Sequence, residues 1–145
     1  MNFKSEDNRI YIWMDWSSTP FWIPLEKDGI YLGNTDISDE LPKELNDRFN
    51  TWASWYDNQS WLTPPNSTKE IEDEWNLKNK MDWDLYNSYG KALACDLKKL
   101  FPELRVFYGH ITSDYLVEIE LDTRDNGDLV CMSKKTKPIN YSKTN

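Results

Sequence analysis

The sequence predicts a single α/β domain of the α+β kind: a mostly antiparallel sheet with two to three helices packed on one face, in the order strands, helices, β-meander. Three observations carry this reading. Apolar residues alternate near both ends of the chain, the period changes to about 3.6 between residues 41 and 100, and an Asn126-Gly127 pair separates two strand-like runs. At 145 residues the chain has the size of one domain, so 1–145 is read as a unit whose tail, from about residue 138 to 145, is expected to be flexible.

"RIYIWMDW" (Arg9–Trp16) and "FWI" (Phe21–Ile23) flank the polar turn Ser17-Ser18-Thr19-Pro20, which reads as strand, turn, strand. Alternation puts Ile10, Ile12, Met14 and Trp16 on one face and Tyr11, Trp13 and Asp15 on the other. One face is expected to pack under the helices. The other, with Tyr11 and Trp13 joined by Trp22, is either a second core or a set of partner anchors. "GIYLGN" gives a third strand. From Leu41 onward, Leu41, Leu45, Phe49, Trp52 and Tyr56 recur at helical spacing behind Pro42, which suits a first helical turn. Pro64-Pro65 makes a rigid connector, and Ser67 with Glu70 has capping-box spacing, predicting a short acidic helix through Trp75.

The clearest helix runs from Asp82 to Leu100, with the stripe Trp83, Tyr86, Gly90, Leu93, Leu97 and Leu100, and ends before Pro102. Gly90 lies on the stripe, where glycine is costly relative to alanine, so a close approach of another element is the expected compensation. "LRVFYG" is a strand. "YLVEIELD" alternates Val117, Ile119 and Leu121 inward with Glu118, Glu120 and Asp122 outward. A two-residue turn at Asn126-Gly127 pairs Thr123 with Val130, Leu121 with Met132 and Glu118 with Lys135, which turns Cys131 outward with Asp122. Cys95 lies about 200° around its helix from Leu93, so Cys95 and Cys131 are expected to remain free thiols.

The net charge is −8, from 25 acidic and 17 basic residues. The imbalance is greatest between His110 and Asp128, where six acids face only Arg124, whereas the stretch from Leu129 onward has four lysines and no acid. Such a chain repels nucleic-acid phosphates and favours a basic partner. No apolar run has the roughly 18–20 residues of a membrane span, and "MNFKSEDNRI" has no apolar leader core, so a cytoplasmic protein is expected.

His110 is the only histidine, which excludes His-pair metal sites and leaves His110 with Asp114 as the one base-and-orienter combination. No nucleophile motif accompanies it. Two isolated cysteines and one histidine cannot build a usual structural zinc site, and no glycine spacing makes a phosphate-cradling loop; no cofactor is expected. What stands out is a stock of carboxylates beside aromatic rings. Glu70, Glu72, Asp73 and Glu74 fall in one run with Trp75, and Glu118, Glu120 and Asp122 on one strand face, while all eight tryptophans precede residue 84. Carboxylates with exposed aromatics form the kind of surface that engages a basic cleft.

"LPKELNDRFNTWASWYDN" followed by "YGKALACDLKKLFPELRVFY" resembles a pattern in small acidic bacterial proteins encoded beside polymorphic toxins, including immunity proteins of contact-dependent growth inhibition. The matching positions are Leu41, Pro42, Leu45, Arg48, Trp52, Tyr56, Gly90, Leu93, Ala94, Leu97, Val106 and Tyr108, about half the chain. The resemblance implies a cytoplasmic protein with no catalytic role that binds a cognate toxin, a basic nuclease domain being the expected partner, and covers its active site with acidic and aromatic residues. Glu70, Glu72, Asp73, Glu74, Trp75, Glu118, Glu120 and Asp122 are the residues expected at that interface. A small enzyme using His110 and Asp114, or an interaction module unrelated to toxins, are the alternatives.

Overall fold

In the computed structural model, residues 8–26, 31–58, 68–70, 82–111, 115–123 and 129–135 are described, Thr123 and residues 129–135 through their strand pairing. The predicted α+β architecture is present. Strands β1 (Arg9–Ile12), β2 (Phe21–Pro24), β3 (Leu32–Thr35), β4 (Arg105–Gly109), β5 (Leu116–Thr123) and β6 (Leu129–Lys135) form one sheet in the order β3-β2-β1-β4-β5-β6. Helices α1 (Lys43–Asp57) and α2 (Trp83–Leu100) lie between β3 and β4 in the chain. Every adjacent pair is antiparallel except β1 with β4, which run parallel with Ile10 beside Val106 and Ile12 beside Tyr108. The parallel pair follows from the long helical connection, since only a crossover can return the chain in the same direction.

β1 lies between β2 and β4, so all four of its residues are buried. Ile10, Ile12 and Met14 face the helices, as alternation predicts, and meet Phe49, Trp52, Leu93, Leu97, Val106, Tyr108, Val117 and Ile119 in the main core. Burying side chains of this size contributes about 1.5–3 kcal/mol each. Trp16 departs from the prediction, being 50% exposed. The strand stops at Ile12, and Asp15 with Ser18 then folds the chain into a turn: Asp15 N donates to Ser18 Oγ at 3.1 Å, Ser18 N to Asp15 O at 3.1 Å, and Ser17 takes a positive φ of 56°. Alternation persists through Met14 and ends at this turn.

The opposite sheet face is a second, smaller core. Tyr11, Leu32, Phe107 and Leu116 are buried there, with Trp13 and Trp22 packed against them. Tyr11 stacks on Phe107 at 4.8 Å, and Trp22 meets Trp13 edge-on at 5.5 Å while its Nε1 donates to the Trp13 carbonyl at 3.0 Å. Tyr11 and Phe107 are core, and Trp13 and Trp22 are half-buried at its edge.

The helices match the predicted patterns. α1 buries Leu45, Phe49, Trp52 and Tyr56. Asp82 caps α2 by accepting from Leu85 N at 3.0 Å, and the stripe buries Tyr86, Gly90, Leu93 and Leu97, whereas Leu100 is 41% exposed. Gly90 has the predicted close neighbours: a Cβ there would come within 2.3 Å of Tyr108 Cε1 and 2.6 Å of Trp52 Cζ2. Of the predicted acidic helix, Lys69 and Glu70 are helical, and the remainder lies outside the described residues.

β6 corrects the predicted register by one residue. Leu121 pairs with Cys131, Asp122 with Val130 and Glu118 with Lys134, leaving five residues between Thr123 and Leu129. The two-residue turn required an even-numbered connection, and an odd number slips the pairing by one. A one-residue slip moves every side chain of the strand to the other face. Cys95, half-buried against the main core, is disulfide-bonded, and Cys131 is the only other cysteine. The free thiol expected at Cys95 is replaced by a disulfide.

Candidate partner-binding surface

α1 and α2 run antiparallel. Arg48 Nη1 meets Asp96 Oδ2 at 2.7 Å, Trp52 stacks on Tyr86 at 4.6 Å, and Tyr56 meets Trp83 edge-on at 6.2 Å, so higher numbers on α1 face lower numbers on α2. Trp52 and Tyr86 also bond reciprocally, Trp52 Nε1 to the Tyr86 carbonyl at 3.0 Å and Tyr86 Oη to the Trp52 carbonyl at 2.9 Å. The polar ends of both rings are satisfied, which makes their burial favourable. Burial, with Tyr108, Tyr56 and Asp57 nearby, holds the Tyr86 phenol far above its ordinary pKa.

Outside this seam the helices leave an open groove of about 670 Å³. One wall is the outer flank of α1, with Glu44, Arg48, Thr51 and Trp55 recurring about every turn. The other is Leu85, Tyr89 and Leu93, one turn apart on α2. Leu85 is 46% and Tyr89 56% exposed, and Trp55 stands edge-on to Tyr89 at 5.9 Å. Exposed apolar residues scattered singly are ordinary, whereas these line one contiguous groove. Its two ends differ. Trp55, Leu85 and Tyr89 form an apolar end, and Glu44, Asp47 and Arg48 a charged one, where Lys43 is bonded to Asp47 at 2.6 Å and Arg48 to Asp96.

Among the described residues, Glu70, Glu118, Glu120 and Asp122 do not line this groove. Glu70 is exposed, whereas Glu72, Asp73, Glu74 and Trp75 lie outside the described residues. On β5, Val117 and Ile119 point inward and Glu120 and Asp122 are exposed, as alternation requires. Glu118 is different. It pairs with Phe107 across the strands and accepts two bonds from Arg105, from Nε and Nη2, both at 3.0 Å. The same guanidinium lies 5.2 Å from the Phe107 ring centre. Glu118 thus has its charge matched within the sheet, and Glu120 and Asp122 are exposed on the same strand.

His110 lies at the end of β4, where its ring stacks on Tyr115 at 4.5 Å and its backbone N donates to the Tyr115 carbonyl at 2.8 Å. Nδ1 is buried with no hydrogen-bond partner. Burial lowers the imidazole pKa from its ordinary 6.5, and the Lys91 charge adds to this. Asp114, the expected orienter, lies outside the described residues. Beside His110, Asn87 is buried and fully used, accepting from Tyr108 Oη at 2.6 Å and Ile111 N at 2.9 Å and donating to the Ile111 carbonyl at 3.1 Å. Among the described residues no group of three or more His, Cys, Asp or Glu is placed to hold a metal ion, and no helix is long and apolar enough to cross a membrane.

Sequence reasoning overlooked Leu85, Tyr89 and Trp55. Their signal was present as a second apolar row at i, i+4 and i+8 on α2, offset from the main stripe, but a row beside a stripe reads as its edge. Whether it was covered depended on where α1 packed. In comparisons with protein-family models, curated proteins and solved structures, the chain matches none, so a functional reading has to rest on its own residues.

Proposed function

We propose that this chain is an immunity-type protein that binds and neutralises a cognate bacterial toxin, a basic nuclease domain being the expected partner, with no chemistry of its own. One observation carries the reading: a contiguous apolar groove with exposed Leu85 and Tyr89 on a chain of net charge −8. Aromatic and aliphatic side chains supply anchor area, while carboxylates steer a basic partner and set its orientation. Glu120 and Asp122, with Glu70, Glu72, Asp73, Glu74 and Trp75, are the acidic and aromatic residues expected around the interface; Glu118 contributes less, since Arg105 already matches its charge.

The test is coexpression. Cells producing the basic C-terminal domain of a secreted protein encoded in the neighbouring reading frame are expected to survive only when this chain is present. Survival that does not depend on the chain, at matched expression, overturns the reading. Within a working pair, truncating a carboxylate buried against a toxin Lys or Arg costs about 2–5 kcal/mol of affinity, whereas rim carboxylates alter the association rate and its salt dependence. A cytoplasmic site of action belongs to the same proposal, and the Cys95 disulfide provides its check. Reducing compartments keep thiols free, so acid-quenched alkylation that finds Cys95 oxidised in the cell, as it is in the structure, overturns that site of action.

A further inference from the structure

We infer that the α1–α2 groove receives an amphipathic helix of the partner, two aliphatic side chains entering between Trp55, Leu85 and Tyr89 and a basic residue about two to three turns away meeting the charged end. This inference rests on the binding-protein reading and names the occupant of the same surface. Both walls are helices, and at about 1.5 Å per residue the α1 wall from Glu44 to Trp55 is on the order of 16 Å long, a length that matches about three turns of helix. A third helix laid along two antiparallel helices fills the channel between them by ridge-into-groove packing. It presents side chains at i and i+4, the spacing of Leu85 and Tyr89 on the facing wall.

At the far end Glu44, Asp47 and Asp96 are set against Lys43 and Arg48, and both cations are bonded, to Asp47 and Asp96 respectively. That leaves Glu44 as the carboxylate best placed for an incoming Lys or Arg. The chain's excess of 25 acids over 17 bases acts in the same direction at longer range. The same excess opposes a second copy, because two molecules of net charge −8 repel as they approach.

The probe is a synthetic 18-residue helical peptide with leucines at i and i+4 and lysines at i+8 and i+11, alongside a twin in which glutamates replace the lysines. Titrated into the labelled full chain at low ionic strength, the lysine peptide is expected to bind at least tenfold tighter than its twin. It should shift the Trp55 indole and Leu85 methyl signals first. Leu85→Asp with Tyr89→Asp is expected to abolish those shifts, and Glu44→Lys to weaken the lysine peptide at least threefold; both helices' exposed positions allow folding to be verified by circular dichroism. Equal affinity of the twins, shifts centred elsewhere, or groove signals that change with protein concentration alone through self-association would each overturn the inference. Coexpression separates its failure from that of the parent reading. Full protection from the cognate domain by the doubly substituted chain removes the groove and keeps neutralisation, whereas peptide docking without any protection removes neutralisation and keeps the groove.

Discussion

Trp52 and Trp55 belong to the same helix, three residues apart, yet one is core and the other lines a surface. Trp52 is 3% exposed, stacked on Tyr86 and bonded through its indole to a backbone carbonyl of α2. Trp55 is half-buried and meets Tyr86 at 4.9 Å on one side and the exposed Tyr89 on the other. Residue type does not separate them. What does is the line where α1 meets α2: rings on that line are covered from both helices, and rings one position around the cylinder are covered from one.

The sharpest way to break this contrast is to truncate each ring. Trp52→Ala is expected to destabilise by about 3–5 kcal/mol, by transfer and cavity terms together, and Trp55→Ala by no more than about half as much; equal shifts in the denaturant midpoint would mean the groove is an extension of the core. Next in size is the Cys95 disulfide. Reducing it is expected to cost about 2–4 kcal/mol of stability, measured by unfolding with and without reductant. No change in midpoint would mean that α2 is held by packing alone.

Gly90→Ala tests the seam from the other side. A methyl group there meets the Tyr108 and Trp52 rings at 2.3 Å and 2.6 Å. Overpacking costs about 1–3 kcal/mol and outweighs the gain in helix propensity, which is at most about 1 kcal/mol. A stabilised variant would show that these rings can move aside.

The pH dependence of stability addresses the polar end of α2. With its folded pKa below the ordinary 6.5, His110 is favoured neutral in the native state. The unfolded chain therefore takes up the proton first, so the His110 contribution is complete above about pH 6.5 and is lost as the pH falls below it. His110→Gln is expected to flatten the loss of melting temperature between pH 7 and pH 5; parallel profiles would refute the burial argument. The smallest effect belongs to the groove. Leu85→Asp and Tyr89→Asp, on exposed positions, are expected to change stability by no more than about 0.5 kcal/mol, while their effect on partner binding is large.

Much of the fold was legible in the chain. The period of Leu45, Phe49, Trp52 and Tyr56 marked α1, Asp82 and Pro102 marked the limits of α2, and alternation in Val117–Asp122 oriented β5 correctly. Errors arose where one residue decides a face. Asn126-Gly127 pointed to an even connection, and the pairing observed between β5 and β6 is shifted by one residue. The site was less legible, because a carboxylate in the sequence does not disclose its partner. Glu118 read as an outward acid until Arg105, thirteen positions away, was seen to hold it.

The sequence by itself determined the elements, their inward faces and the close approach at Gly90, because periodicity, capping and the missing Cβ are local properties of the chain. Only the tertiary structure decided that Tyr11 and Phe107 stack in a second core, that Cys95 is bonded, and that Trp55, Leu85 and Tyr89 line an open groove. Each of those outcomes depends on which surface another element covers, and coverage is a property of the assembled layers.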